Sequence, residues 1–416
     1  MGFILPGGPT LHAGFVIESV NLLGLKLSYG SRCLMNQPMR IGMVCYPTYG
    51  GSGVVATELG KALADRGHAV HFVSNSLPAR LDVFRENLYF HEVSMVHYPL
   101  FEHSPYVLAL TGKLVEVVRE QKLDLLHVHY AIPHATAAHL AREILAGQGI
   151  RVKVMTTLHG TDITLVGKDP NYAPVVSFAI QQSDAATAVS DFLRDETHRY
   201  FDCRKKVVTV PNFVDLKRFT PSQRPGLRER FCPEGHRLLI HISNFRRVKR
   251  IDRVVDWFHR IAQDVPASLL MVGDGPELPR AEQAVRELGL GGRVHFVGRQ
   301  DPVESLLGVS DLLLLPSETE SFGLAALEAL ACGVPVMSSD AGGLPELVED
   351  GQCGILVSEN GQEQGITQAV ELLSNQQQLA QYRKAAIVRA SAYNLDRILP
   401  IYEALYRELL EEKPRD

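Results

Sequence analysis

The 416 residues include a single tryptophan and only six cysteines, and no two of those cysteines form a Cys-x-x-Cys pair. A chain of this length does not depend on disulfide staples. Cys33, Cys45, Cys203, Cys232, Cys332 and Cys353 therefore read as reduced thiols, and the compartment as cytoplasmic. No apolar run approaches the roughly 18 residues that a membrane span requires, and no basic amphipathic anchor stands out. Positive charge is also in short supply: 42 Lys and Arg against 47 Asp and Glu leave a net charge of -5, which argues against a general nucleic-acid binder. The loop after the first apolar strand lacks Gly-Lys-Ser/Thr, and it is not a Gly-x-Gly-x-x-Gly turn, which counts against ATPases and dehydrogenases. Any anion site must be local and of another design.

What the chain does contain is alternation of strand and helix. Its length suits two domains of roughly 150 to 200 residues. Apolar strands are expected at 41–45, 70–74, 124–128, 152–158 and 185–189, with helices at 53–66, 106–121 and 135–145 between them. A second series of strands follows at 237–242, 268–272, 294–297, 312–315 and 334–337. The pattern predicts an α/β protein of two doubly wound, Rossmann-like domains facing a central cleft. The first domain spans 39–213 and the second 214–392. Pro211-Asn212-Phe213-Val214-Asp215, followed by a polar stretch with Pro221, Pro225 and Pro233, is the hinge candidate. Residues 1–38 lack periodicity and carry a turn at Pro6-Gly7-Gly8, so they read as a disordered extension or a misassigned start. Their basic residues precede no sustained apolar segment, so they do not read as a secretory leader.

Five segments carry chemistry. Gly50-Gly51-Ser52-Gly53 joins the first strand to a helix, where backbone N–H groups and the helix dipole suit a phosphate or carboxylate, although glycine turns also join many strands to helices for packing alone. Asn244-Phe245-Arg246-Arg247-Val248-Lys249-Arg250 packs four cations at a strand end, either as a diphosphate clamp or as a solvated basic turn. Gly273-Asp274-Gly275 and Gly298-Arg299 end the next strands, where a ribose or base could pass close to the backbone. Finally, Glu320-Ser321-Phe322-Gly323-Leu324 leads into a helix bearing Glu328, so that two acids lie about 12 Å apart along its axis. One nucleotide sugar spans such a gap. Glu328 lies among apolar residues, and a charge there must be partnered.

The spacing Glu-x7-Glu, the basic patch ending in lysine, Gly-Asp-Gly-Pro-Glu and the amino-terminal glycine loop together resemble the large retaining glycosyltransferase family with the GT-B fold, from Met39 to the carboxyl end. That family often has arginine five residues before its lysine. Asn244 stands there in this chain, so Arg246 and Lys249 become the phosphate ligands. The resemblance implies a metal-independent enzyme with no cofactor, whose carboxyl-terminal helix, at 393–409, crosses back to the first domain. Further segments, namely Cys45-Tyr46-Pro47, His127-Val128-His129-Tyr130, Thr156-Thr157-Leu158-His159-Gly160-Thr161-Asp162 and Ser243-Asn244-Phe245-Arg246, resemble the branch that opens bacillithiol biosynthesis. This resemblance implies UDP-N-acetylglucosamine as donor and L-malate as acceptor, with Ser52, Tyr130, Thr157 and Asn244 near the malate. His159 is implied to stand beside the donor sugar.

The resulting candidate set comprises His159, Lys249, Arg246 and Glu320 as catalytic groups. Gly51, Ser52, Gly53, Asn244, Gly273, Arg299, Ser321, Phe322, Gly323, Leu324 and Glu328 complete the donor site. Asp162 could orient its loop, bind the acceptor or cap a helix. His127 and His129 share a strand face and with His134 or His159 could be read as a metal cluster, but a buried structural role is the commoner one and no metal site is assigned. Small-molecule substrates are the expected partners, without nucleic acid or a stable membrane anchor, and a homodimer is compatible with the reading. A nucleotide-sugar epimerase or hydrolase, a silent nucleotide-sugar sensor, or a transferase using another acceptor are the rivals. Donor consumption without acceptor would favour the first, and binding without turnover the second.

Overall fold

A computed structural model describes residues 37–82, 84–95, 105–221, 224 and 226–411, and Gln37–Asp416 forms one compact unit. The expectation for residues 1–36 and the part of the hinge reading at Pro225 lie outside the described residues. In the first lobe the strands are β1 (Arg40–Val44), β2 (Ala69–Ser74), β3 (Leu88–Glu92), β4 (Leu125–His129), β5 (Lys153–Leu158), β6 (Ala185–Ala188) and β7 (Val207–Thr209). Helices α1 (Gly51–Asp65), α2 (Tyr106–Gln121), α3 (Thr136–Ala146), α4 (Ala173–Gln182) and α5 (Asp191–Tyr200) connect them. The sheet is parallel, in the order β3-β2-β1-β4-β5-β6-β7.

The second lobe is built from β8 (Arg237–Ser243), α6 (Ile251–Asp264), β9 (Ala267–Gly273), α7 (Leu278–Glu287), β10 (Val294–Gly298), α8 (Glu304–Gly308) and β11 (Leu312–Leu315). It continues through α9 (Leu324–Ala331), β12 (Val336–Ser339), α10 (Leu344–Leu347), β13 (Gly354–Val357), α11 (Gln362–Ser374) and α12 (Gln376–Ser391). Its parallel order is β10-β9-β8-β11-β12-β13. Central strands such as β4 and β11 are buried along their whole length, as a sheet covered by helices on both faces requires, β11 being all leucine and β4 carrying two histidines among its apolar residues. Each expected strand is present within two residues at either end. The unexpected ones, β3, β7 and β13, are all edge strands, short and paired on one side only.

The chain crosses between lobes twice, and the crossings lie side by side. Val214 N–H donates to the Tyr393 carbonyl and Leu395 N–H to the Val214 carbonyl, both at 3.0 Å. Beyond that point α13 (Leu395–Glu411) packs on the first lobe, where Tyr402, Tyr406 and Leu409 join Ile41, Met43 and Leu59 in one core. Two buried polar contacts fix its register. Glu403 accepts from Arg66 at 3.2 Å and lies 3.1 Å from His68 Nε2, and the Tyr406 hydroxyl lies 2.7 Å from His127 Nδ1.

Beside the second crossing, where the Tyr393 hydroxyl donates to the Glu346 carbonyl at 2.9 Å, the lobes meet in a polar seam. Ser190 Oγ donates to the Ser321 carbonyl at 2.5 Å. The Glu346 carboxylate, from the second lobe, accepts the Asp191 and Phe192 N–H groups at 2.9 and 2.6 Å and so caps α5 of the first. Gly160 sits in the left-handed region at φ +117, and a Cβ there would lie 1.6 Å from Ser321 Oγ. No other residue fits that position without displacing the opposite lobe.

Two outcomes follow for stability. Tyr406→Phe leaves His127 Nδ1 buried without its partner and is expected to cost about 1–3 kcal/mol in urea unfolding; an unchanged midpoint would argue against the contact. Gly160→Ala is expected to cost at least ~1 kcal/mol through backbone strain and collision with Ser321. Adding Ser321→Gly should return part of that loss, and purely additive effects of the two changes would count against the seam.

Candidate active site

In each parallel sheet the strand order reverses at one point, between β1 and β4 in the first lobe and between β8 and β11 in the second. Ligands in such folds bind in the crevice that opens there, at the carboxyl ends of the strands. The candidate residues gather at these two places. Between the lobes, an open cleft of about 460 Å³ is lined by Thr164, Lys168 and Phe192 from the first and Arg247, Glu318 and Thr319 from the second.

The first-lobe wall starts with the glycine loop. A Cβ on Gly53 would come within 2.4 Å of the Thr48 carbonyl, so glycine lets the loop fold back onto the start of α1. A Cβ on Gly51 would lie 3.7 Å from Leu324 Cδ2, which places this helix start opposite that of α9. Ser52, nearly buried, accepts a 2.9 Å hydrogen bond from the Tyr130 hydroxyl. Burial pushes the Tyr130 phenol up to about 12, so it stays a neutral donor at physiological pH. Its backbone takes a positive φ of 89 and its N–H donates to the Thr157 carbonyl at 2.9 Å.

Asp162 turns inward. It is 2% exposed, and its carboxylate accepts from Ala131 N–H at 2.8 Å and Gly160 N–H at 3.1 Å, which holds the two loops of this wall together. Of the roles left open by the sequence, loop orientation is the one its geometry serves. Burial raises its carboxyl to about 6, against these N–H groups, which favour the ionised form.

Behind the wall, and reaching it at His159, lies a file of histidines that bind one another and the protein around them. His127 joins the Tyr406 hydroxyl to the Thr157 hydroxyl, each at 2.7 Å. His129 Nδ1 lies 2.7 Å from His159 Nε2, and its other nitrogen lies 3.1 Å from Met43 Sδ. His134 Nδ1 is bound to the His129 carbonyl. Burial pulls His127 and His159 down to about 3 and His134 to about 4, so all three are neutral imidazoles at physiological pH. Thr157 belongs to this file. Its fully buried hydroxyl is shared with His127 and with Thr187 at 2.7 Å, so it faces the strand interior and reaches the cleft wall through its carbonyl on Tyr130.

On the second-lobe wall, His241 is buried and bridges the Leu314 carbonyl and Ser243 Oγ, each at 2.8 Å. It thereby ties the end of β8 to that of β11. A further bond, Glu318 N–H to the Val248 carbonyl at 2.8 Å, joins the basic turn to the loop carrying Glu320. Lys249 Nζ lies 2.5 Å from Glu320 Oε1, which also accepts from Ser317 Oγ at 2.8 Å. Asn244, Arg246 and Arg247 are exposed, and among the described residues neither arginine is ion-paired with a carboxylate. The basic turn thus presents cations whose charge its own protein does not neutralise.

Glu320-Ser321-Phe322-Gly323 is a loop, held by the tandem glycines after β12. Gly343 N–H donates to the Glu320 carbonyl at 2.8 Å, and a Cβ on Gly342 or Gly343 would strike the carbonyl of Glu320 or Ser321. Gly323, at φ +94, turns the chain into α9. The Phe322 ring is buried and edge-on to Tyr393, 5.6 Å between centroids, so only its backbone is available to a ligand. Gly273 also serves chain packing. A Cβ there would lie 1.8 Å from the Ser243 carbonyl, so β9 needs glycine to lie against the β8 loop. Arg299 is exposed and 3.7 Å from exposed Asp274. Glu328 is buried within α9 and faces Arg80 of the first lobe at 3.7 Å.

Arg80, Ser317, Glu346 and the Gly342-Gly343 pair were not singled out by the sequence. The tandem glycine following a strand was a usable signal. Arg80 and Glu346 act across the lobe boundary and leave no local pattern.

The chain matches the family models "Glycosyltransferase Family 4" over residues 49–218 and "Glycosyl transferases group 1" over residues 227–389. It is 46% identical over 379 residues to the N-acetyl-alpha-D-glucosaminyl L-malate synthase of Bacillus anthracis, covering 90% of this chain and 98% of that one. It is 30% identical to the D-inositol 3-phosphate glycosyltransferase of Geodermatophilus obscurus, over 74% of each chain. Among solved structures, Anabaena HepE in complex with UDP and glucose superposes with a TM-score of 0.74 at 21% identity, covering 88% of this chain and 99% of that one. The glycosyltransferase from Rickettsia africae does so at 0.73 and 20%, covering 90% of this chain and all of that one. Two facing parallel-sheet lobes and a near full-length match at this identity place the chain in the GT-B glycosyltransferase family that includes the N-acetyl-alpha-D-glucosaminyl L-malate synthase.

Proposed function

We propose that this glycosyltransferase moves N-acetylglucosamine from UDP-N-acetylglucosamine to the hydroxyl of L-malate with retained anomeric configuration, as the first step of bacillithiol biosynthesis. The observation that carries the reading is the Lys249–Glu320 pair, set beside unpaired Arg246 where the strand order of the second sheet reverses. The identity of donor and acceptor is taken from the name of the Bacillus anthracis relative. In this reading the diphosphate lies against Lys249 and Arg246, with the start of α9 adding the dipole of its free N–H groups. Glu320 accepts hydrogen bonds from the sugar hydroxyls and Glu328 from the ribose.

Malate carries two small carboxylates around one hydroxyl. The N–H groups at the start of α1, with Ser52, Tyr130 and the Asn244 amide, provide neutral donors of the right kind, and Thr157 supports Tyr130 from behind. The malate hydroxyl attacks the anomeric carbon on the face from which UDP departs. The bond from that carbon to the diphosphate oxygen breaks, and the same oxygen takes the proton. Neutral His159, steadied by His129, stands beside the sugar and eases the positive charge that develops on its ring. Positioning and charge stabilisation supply the catalysis, with no metal or cofactor required. The enzyme works in the cytoplasm, as a monomer or homodimer.

Lys249→Ala is expected to lower turnover by about 10² to 10³ at saturating donor, as loss of one preorganised donor does. Release of UDP should require L-malate and yield a glycosyl malate by mass analysis. Near-full turnover in the variant would remove the clamp. Release without malate and without that product would favour the hydrolase or epimerase reading.

A further inference from the structure

Glu328 occupies the middle of an otherwise apolar helix, and its charge needs a partner there. The groups around it come from six places. Arg80 Nη1, on the loop after β2, lies 3.7 Å from its Oε1, and both side chains are about nine-tenths buried. Arg80 Nε also donates to Asp301 at 3.3 Å. Arg218, from the hinge, pulls on Glu328 as well, but it is bound to Asp301 at 2.7 Å, Glu304 of α8 at 3.2 Å and Glu58 of α1 at 3.7 Å. Glu304 repels Glu328, and the Cys332 thiol, one turn further along α9, also feels its charge.

Three cations thus serve four carboxylates in this cluster, because Lys61 of α1 also holds Glu58 at 2.9 Å. Arg218 is shared among Asp301, Glu304 and Glu58, which leaves Arg80, itself shared with Asp301, as the cation in direct contact with Glu328. Burial pushes the Glu328 carboxyl up to about 7 even with both arginines present. Without Arg80 it would be held mostly protonated at neutral pH, and a protonated carboxyl is a poorer acceptor for hydroxyls.

We propose that Arg80 is a positioning residue for the donor nucleotide, supplied by the lobe opposite the one that carries Glu328: its cross-lobe ion pair keeps Glu328 available as the acceptor of the ribose hydroxyls. The inference rests on the assignment of Glu328 to the ribose made above. It makes ribose recognition by the second lobe conditional on the first lobe being in place.

The test compares the full chain's affinity for UDP with that for 2′,3′-dideoxy-UDP by calorimetry at pH 7.5 and 9.0, both above the value near 7 to which burial raises Glu328. The ratio cancels titration of the diphosphate and the base, which both ligands share. The unaltered protein should prefer UDP at both pH values. Arg80→Gln should lose roughly tenfold or more of that preference at pH 7.5. It should recover part of it at pH 9.0, because a carboxyl with a raised pKa ionises as pH rises. Dideoxy-UDP should still bind this variant, which checks that it is folded, and Arg80→Lys should keep most of the preference. Glu328→Gln should lack the preference at both pH values. An Arg80→Gln preference equal to that of the unaltered protein at pH 7.5, with Glu328→Gln defective, would overturn the role of Arg80. A preference unchanged by Glu328→Gln would overturn the ribose assignment itself, and the proposal with it.

Discussion

Ser321 lies where the lobes touch. Its carbonyl accepts from Ser190, and its Oγ fills the space that a side chain at position 160 would need. That contact brings the His159-Gly160 loop of the first wall against the Glu320-Ser321 loop of the second. Glu346 reinforces it by capping α5 from the other lobe. Since Phe322, the next residue, is anchored on Tyr393 at the second hinge crossing, seam and hinge are joined through two consecutive residues. Closure of the lobes and placement of the Glu320 loop are therefore one structural event.

The cleft built this way has an electrical direction. At the end of β8 cations outnumber their partners: Lys249 shares Glu320, Arg250 meets Asp252, and Arg246 and Arg247 face solvent without a carboxylate. At the hinge end the balance reverses, with Glu58, Asp301, Glu304 and Glu328 around two arginines and Lys61. A nucleotide sugar presents a dianionic diphosphate between two sets of hydroxyls, and this arrangement offers charge of the right sign to each. The neutral histidines behind the first wall add shape and hydrogen bonds without adding charge, because burial keeps them deprotonated.

Much of this was legible in the sequence because it is local. The glycine loop, the basic turn and the Glu320 to Glu328 segment each join a buried parallel strand to a helix, and such joints carry their composition in a few consecutive residues. Three of the four edge strands escaped, because one-sided pairing asks little of the residues in them; β10 was the exception. The roles of Thr157, Phe322 and Gly273 also depended on facts the sequence does not state. Strand position alone did not show that the Thr157 hydroxyl is taken by His127 and Thr187, or that Gly273 serves the β8 loop. Arg80 lay furthest from view. The need for a partner to Glu328 followed from its apolar neighbours, but the identity of that partner is settled only by the meeting of the lobes.

The central claim is that the diphosphate of the donor lies between the two facing helix starts, at Lys249. A crystal structure of the protein with UDP tests it most directly. The account predicts phosphate oxygens within hydrogen-bond distance of Lys249 and Arg246, with the ribose hydroxyls on Glu328. UDP bound away from the cleft, or in it with Lys249 still on Glu320 and turned from the phosphates, would contradict it.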